Sequence, residues 1–157
     1  REEIVSSADM VEALDKGVIG GYITDFPAPE LLGRSDVLLM PHIGASTAEA
    51  EENCAVMAAN QLMDFLENGN IRNSVNYPQI KMARNGGTRI TFTNKNVPKV
   101  LGNVLSILAD SELNVVDMVN KSRDEIAYNI IDIEGAFDSS LQTKIAEVEG
   151  VVHVRII

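Results

Sequence analysis

The run Val37-Leu38-Leu39-Met40-Pro41-His42-Ile43-Gly44-Ala45-Ser46-Thr47 narrows the choice of fold more than any other part of this chain. Four apolar residues, Val37 to Met40, make a short strand, and Pro41 ends it. Ser46 or Thr47 then caps a helix to about Glu67, with Glu49, Glu51 and Glu52 near its positive end. Strand, tight loop and helix in that order form an α/β unit. In open α/β sheets the carboxyl end of a strand is where chemistry is placed, and His42 stands there.

Upstream, Ser6 or Ser7 caps a helix to about Lys16, with Gly17 as its stop. Met10, Val11 and Leu14 give it a narrow apolar stripe. Gly20 to Phe26 reads as a buried strand, and Pro27 and Pro29 force a loop. In the long helix Ala50, Cys54, Met57, Ala58, Leu62 and Phe65 follow helical spacing, so it is expected to pack against another element. Two strands and two helices cannot close a doubly wound sheet. No Gly-x-Gly-x-x-Gly turn follows a strand, so the cradle for a pyrophosphate is absent. The segment reads as the last third of a dinucleotide-binding domain, and a start at Arg1 rather than methionine reads as a piece of something longer.

Composition removes some functions. The formal net charge of −10 is uneven: residues 1–80 hold 4 Lys and Arg against 13 Asp and Glu, and residues 81–157 hold 9 against 10. Such acidity repels phosphates and argues against a nucleic-acid partner. No stretch approaches the length of a membrane span, and no secretory signal is evident. No metal-ligating cluster stands out. The single cysteine, Cys54, excludes an internal disulfide, fits a reducing cytoplasmic compartment and is expected as a small core hydrophobe.

The grammar changes between residues 69 and 87. Asn68-Gly69-Asn70 ends a helix, Pro78 interrupts, and Asn85-Gly86-Gly87 marks a turn, so this stretch is expected as a linker between 1–68 and 88–157. Beyond it, Ile90 and Phe92 alternate with polar residues as a strand. A helix opens near Pro98, with Val97, Leu101, Val104, Leu105 and Leu108 as its buried stripe. Asn114 to Asn120 is a strand, Ser122-Arg123-Asp124 a hairpin turn, and Glu125 to Glu134 a strand. A helix capped by Asp138 or Ser139 carries Leu141, Ile145 and Val148. Gly150 stops it, and Val152, Val154 and Ile156 alternate as the last strand. The order βαββαβ is the α+β ferredoxin-like sandwich, whose sheet buries one face under two helices and leaves the other free.

Three residues of the first segment could act together: Arg1, Glu30 and His42. A loop carboxylate at Glu30 could reach His42 and fix its tautomer, and an arginine could hold a substrate carboxylate bidentately. Taken singly, each is an ordinary residue: a hydrogen-bonded histidine, a solvated loop acid, a terminal arginine.

Arg1-Glu2-Glu3-Ile4-Val5, the pair Asp25 and Glu30, and above all Pro41-His42-Ile43-Gly44-Ala45-Ser46-Thr47 resemble, in the right order, the D-isomer 2-hydroxyacid dehydrogenases. Asn73-Ser74-Val75-Asn76-Tyr77-Pro78 is similar to a stretch that follows in members acting on a phosphorylated hydroxy acid. The resemblance implies a partial doubly wound, Rossmann-like domain and residue roles. His42 is the acid/base, Glu30 holds it, Arg1 binds the substrate carboxylate, and Asp25, His42 and Gly44 face NAD. Glu2 replaces the family's glycine, and Phe26-Pro27 replaces its Val-Phe.

Residues 88–157 resemble an ACT domain through Asn94-Lys95-Asn96-Val97-Pro98-Lys99-Val100-Leu101. This implies an L-serine site on Asn94, Asn96 and Asn114, and homo-oligomers joined through the strand that begins at Asn114. Lys99 stands where the family has glycine. The expected whole is the carboxy-terminal piece of an NAD-dependent enzyme that oxidises 3-phosphoglycerate on the route to serine, inactive as this chain alone. The alternatives are an amino-acid-sensing module without catalysis, or a relative with a different 2-hydroxy acid as its small-molecule substrate.

Overall fold

The computed structural model describes residues 2–85 and 87–157, which fall into two compact units divided between Cys54 and Ala55. Arg1 therefore lies outside the described residues.

In the first unit, helix α1 (Ser7–Asp15) is capped by Ser6, whose hydroxyl accepts from the Asp9 N–H at 3.3 Å. Strands β1 (Tyr22–Thr24) and β2 (Val37–Leu39) pair in parallel, with Thr24 level with Leu39. The strand expected over Gly20 to Phe26 is thus three residues long, and Ile23 is 64% exposed, because a two-stranded sheet offers no second layer to cover it. Between the strands a single 3-10 turn at Pro29–Leu31 buries Leu31 and packs against α1. Arg34 ties the unit together, donating to both carboxylate oxygens of Asp36 (2.9 and 2.8 Å) and to Asp15 (2.7 Å).

Helix α2 (Ala48–Asn68) runs across the division between the units. Thr47 caps it, accepting from the Ala50 N–H at 3.1 Å. The expected packing stripe is not buried. No residue of α2 is fully enclosed, Met57 and Leu62 are half exposed, and Cys54 is exposed rather than a core residue. The apolar spacing is real, but only its end is covered: Phe65 is partly buried against the cluster of Ile71, Ile80, Met82, Tyr128 and Ile130, while Cys54, Met57, Ala58 and Leu62 are exposed.

The second unit holds β3 (Thr88–Lys95), α3 (Val100–Asp110), β4 (Asn114–Arg123), β5 (Ile126–Glu134), α4 (Ser140–Ala146) and β6 (Val151–Ile156). The four strands form an antiparallel sheet in the order β4-β5-β3-β6, the ferredoxin-like arrangement. Alternation along each strand sends Ile90, Phe92, Ile131, Ile133 and Val154 to one face, where Val104, Leu108, Leu141 and Ile145 of the helices meet them. Each fully buried side chain here contributes about 1.5–3 kcal/mol. Val97, expected in the α3 stripe, is instead half exposed ahead of the helix.

The other face of the sheet is not free. Ile71 and Ile80 bridge to each other by backbone hydrogen bonds, and with Met82 they pack on Tyr128 and Ile130. Much of the stretch 69–87, expected as a linker, is therefore a folded cover. Arg89 fastens it. Its guanidinium is fully buried, donates to both oxygens of Asp132 (2.6 and 2.7 Å), and uses its remaining hydrogens on the carbonyls of Asn68, Met82 and Ala83. All five guanidinium donors are thereby satisfied.

Candidate functional site

Parallel pairing sets the first candidate site. Because Thr24 lies level with Leu39, the residues just past both strands emerge side by side at the carboxyl edge. Asp25 leaves β1 there and His42 follows β2. His42 Nδ1 lies 2.8 Å from Asp25 Oδ2. The Phe26 ring stacks on the imidazole, with centroids 4.6 Å apart and planes tilted by 37°. Thr24 Oγ1 accepts from the Phe26 N–H at 3.0 Å, which fixes the backbone between the two partners. An Nδ1–H donated to a carboxylate leaves Nε2 as the lone-pair nitrogen, directed away from Asp25 and free to take a proton. The pair is open to solvent, with side-chain exposures of 63% for His42 and 41% for Asp25.

Glu30 is not the partner of His42. It sits exposed on the short 3-10 turn, whose orientation is set by buried Leu31, and no described side chain pairs with it. The partner is the nearer acid, Asp25. The loop acid looked available because sequence spacing shows neither the parallel register nor which residue of the turn faces inward. Gly44 lies in the loop 41–47, where an added Cβ would meet nothing within 4 Å.

Asp25, His42 and Gly44, the residues expected to face NAD, all lie beyond the carboxyl ends of β1 and β2. Residues able to cradle its pyrophosphate are not among those described, since no glycine-rich turn follows β1 or β2. No group of three or more His, Cys, Asp or Glu is placed to hold a metal among the described residues.

The second candidate site is a row of asparagines on the helix-covered face. Asn120 donates to Asn129 Oδ1 at 2.5 Å, and Asn129 donates to Asn94 Oδ1 at 2.7 Å. Asn94 donates in turn to the Lys95 carbonyl at 2.7 Å. Asn94 and Asn129 are buried. Asn129 was missed in the sequence, although a lone amide inside the apolar strand Ile126–Glu134 is a signal that a buried polar group needs partners. Exposed Asn96 donates its side chain to the Asp124 carbonyl at 3.1 Å. Just beyond it, Lys99 holds φ +77°, the left-handed backbone that the ACT motif's glycine would adopt without strain.

Asn114 is not near these residues within one copy. Asn94 is level with Ala127, and Ala127 with Ser122, whereas Asn114 is level with Glu134 at the far end of the sheet. The eight residue steps from Asn114 to Ser122 span about 26 Å of strand.

Four groups outside these sites are shifted from their ordinary values, and hydrogen bonds to Asp36 and Asp15 hold Arg34 above its own. Arg34 pulls Asp36 below the ordinary carboxylate value, and hydrogen bonds from Ser140 do the same to Asp138. Burial raises the phenol of Tyr128.

No protein-family model matches the chain. Curated relatives match the chain, and the match falls in their carboxy-terminal part. Those relatives are D-3-phosphoglycerate dehydrogenases. The chain is 32% identical to that of Haemophilus influenzae, over all of this chain and 41% of the relative. It is 33% identical to that of Escherichia coli over 78% of this chain and 30% of the relative, and 29% identical to that of Dictyostelium discoideum over 100% and 41%. The chain thus spans well under half the length of the curated relatives it matches. Among solved structures, the ACT domain from GTP pyrophosphokinase of Chlorobium tepidum covers 45% of this chain and 95% of its own, with a TM-score of 0.41 and 16% identity. The fold assignment rests on the strand order. No helix of the described residues is long and apolar enough to cross a membrane.

Proposed function

We propose that this chain is the carboxy-terminal portion of an NAD-dependent D-3-phosphoglycerate dehydrogenase, carrying its acid/base histidine and a serine-sensing ACT domain. The 2.8 Å pair of His42 and Asp25 at the carboxyl ends of two parallel strands carries this reading. NAD, when bound, supplies the hydride acceptor. His42 Nε2 takes the proton of the substrate hydroxyl as the carbonyl forms, because Asp25 holds Nδ1 protonated and balances the charge that arrives on the ring. Phe26 limits rotation of the imidazole. Arg1 is assigned to the substrate carboxylate on the strength of the family resemblance alone. The free, exposed Cys54 suits a reducing cytoplasmic setting.

For the ACT domain we propose an L-serine site shared between two copies. β4 is an edge strand with unpaired backbone groups, and Val116 and Met118 beside them are exposed. Antiparallel pairing of β4 with β4 of a second copy carries that copy's Asn114 to the end where Asn96 and the asparagine row lie. Asn94 contributes by orienting the row, since its own amide is engaged.

The test is turnover of 3-phosphoglycerate with NAD by the full-length protein that contains this chain. Replacing His42 by Asn is expected to lower kcat by about 10²–10⁴-fold. Calorimetry with L-serine then addresses the second site: binding lost in Asn114→Ala and in Asn96→Ala, and restored when the two variants are mixed, supports a shared site. Serine binding without turnover supports the sensing module alone, and loss of neither activity overturns the catalytic role of His42.

A further inference from the structure

The second face of the sheet carries a cavity that neither proposed site uses. It lies wholly within the second unit, roofed by the last turns of α2 and by residues 70–77, with a volume of about 380 Å³. That is within the usual range for a small-molecule pocket of about 300–1,000 Å³. Its walls are aromatic: Tyr77 and Tyr128 meet edge to face with centroids 6.0 Å apart, and Phe65 closes the helix side. It opens on the opposite face from the asparagine row.

The charge at this cavity runs against the rest of the molecule. In a chain of net charge −10, no Asp or Glu lines it, whereas Arg72, His153 and Arg155 do. Arg155 lies over the Phe65 ring at 4.7 Å and donates to the carbonyls of Phe65 (3.3 Å) and Leu66 (2.8 Å). Those two bonds leave three of its five donors, and no carboxylate among the described residues pairs with it. Arg72 is held loosely, 3.7 Å from an Asp64 that also accepts from Asn68 and Asn70.

We propose that this cavity binds a small organic anion with a flat apolar body, of the aryl-carboxylate class. The ring would occupy the aromatic walls, and the carboxylate would meet the free donors of Arg155, with Arg72 adding positive potential and the His153 ring offering a hydrogen bond. An uncharged ligand would leave the free donors of Arg155 without a counter-charge, and an inorganic anion would leave the aromatic walls wet.

Indole-3-acetate and its uncharged amide, indole-3-acetamide, are the probes, followed by ¹H–¹⁵N NMR on this chain. The acid is expected to shift the amides of Thr91, Thr93, Tyr128 and His153 saturably, and to bind at least about fivefold more tightly than the amide. Gln61→Trp, which fills the cavity from α2, is expected to weaken binding by more than about tenfold. Arg155→Gln is expected to abolish the preference for the acid. Because Arg155 also holds the end of α2, the acid–amide comparison in the unaltered chain and Gln61→Trp remain decisive if that variant fails to fold. Equal affinity for acid and amide, shifts scattered outside the cavity, or binding unchanged by Gln61→Trp would overturn the proposal. Loss of serine binding at the asparagine end would leave it standing.

Discussion

Breaking the Arg89–Asp132 pair should cost the second unit much of its stability. Both side chains are essentially without solvent contact, at 1% and 2% exposure. Replacing Arg89 by Met strands a carboxylate in the interior and leaves the carbonyls of Asn68, Met82 and Ala83 without their donor. Removing one partner of such a pair typically costs about 3–5 kcal/mol, because the survivor has lost both water and its counter-charge. At about 4 °C per kcal/mol for a domain of this size, the midpoint of unfolding should fall by about 12–20 °C. Asp132→Leu should cost a similar amount. The double variant Arg89→Met/Asp132→Leu should recover a large part of the loss, since neither charge is then buried alone. Thermal and urea unfolding followed by circular dichroism measure all four corners of the cycle. Single variants that lose less than about 1 kcal/mol, or a double variant that loses the full sum, would refute the reasoning.

Two glycines should respond in opposite directions to alanine. Gly69 has φ +72°, and a Cβ there would come within 2.5 Å of Thr91, so Gly69→Ala should cost about 2–4 kcal/mol by urea unfolding. Gly102 sits inside α3 with open space around it, so Gly102→Ala should stabilise by about 0.5–1 kcal/mol in the same assay. Lys99→Gly should relieve the left-handed backbone and raise stability by about 1 kcal/mol, read from the urea midpoint. The buried phenol of Tyr128 titrates above its ordinary value. Its contribution is therefore complete below pH 10 or so and lost as pH rises through the folded-state value. Urea midpoints should fall on going strongly alkaline, and Tyr128→Phe should flatten that fall.

The periodic parts of the sequence were readable. Period-two alternation and capping residues located every strand and helix of the ferredoxin-like unit, and Ser6, Thr47 and Gly150 act where their chemistry places them. What the sequence hid depends on contacts between distant residues. The pairing of His42 with Asp25 rather than Glu30 follows from a parallel register that no local pattern encodes. The cover over the second sheet face was hidden because Pro78 and the Asn-Gly turns look like linker chemistry. Its order comes from Arg89, forty-three residues away from Asp132 in sequence. The stripe on α2 led to an expectation of burial that only Phe65 at its end meets, because spacing marks an apolar face without supplying its partner.

The account rests on how one ring is held. Long-range ¹H–¹⁵N spectra of this chain at mildly alkaline pH report the tautomer of His42 directly. They should show Nδ1 protonated and Nε2 bare, a state that Asp25→Asn disturbs and Glu30→Gln leaves alone. A ring protonated at Nε2, or one that answers to Glu30 and ignores Asp25, would contradict it.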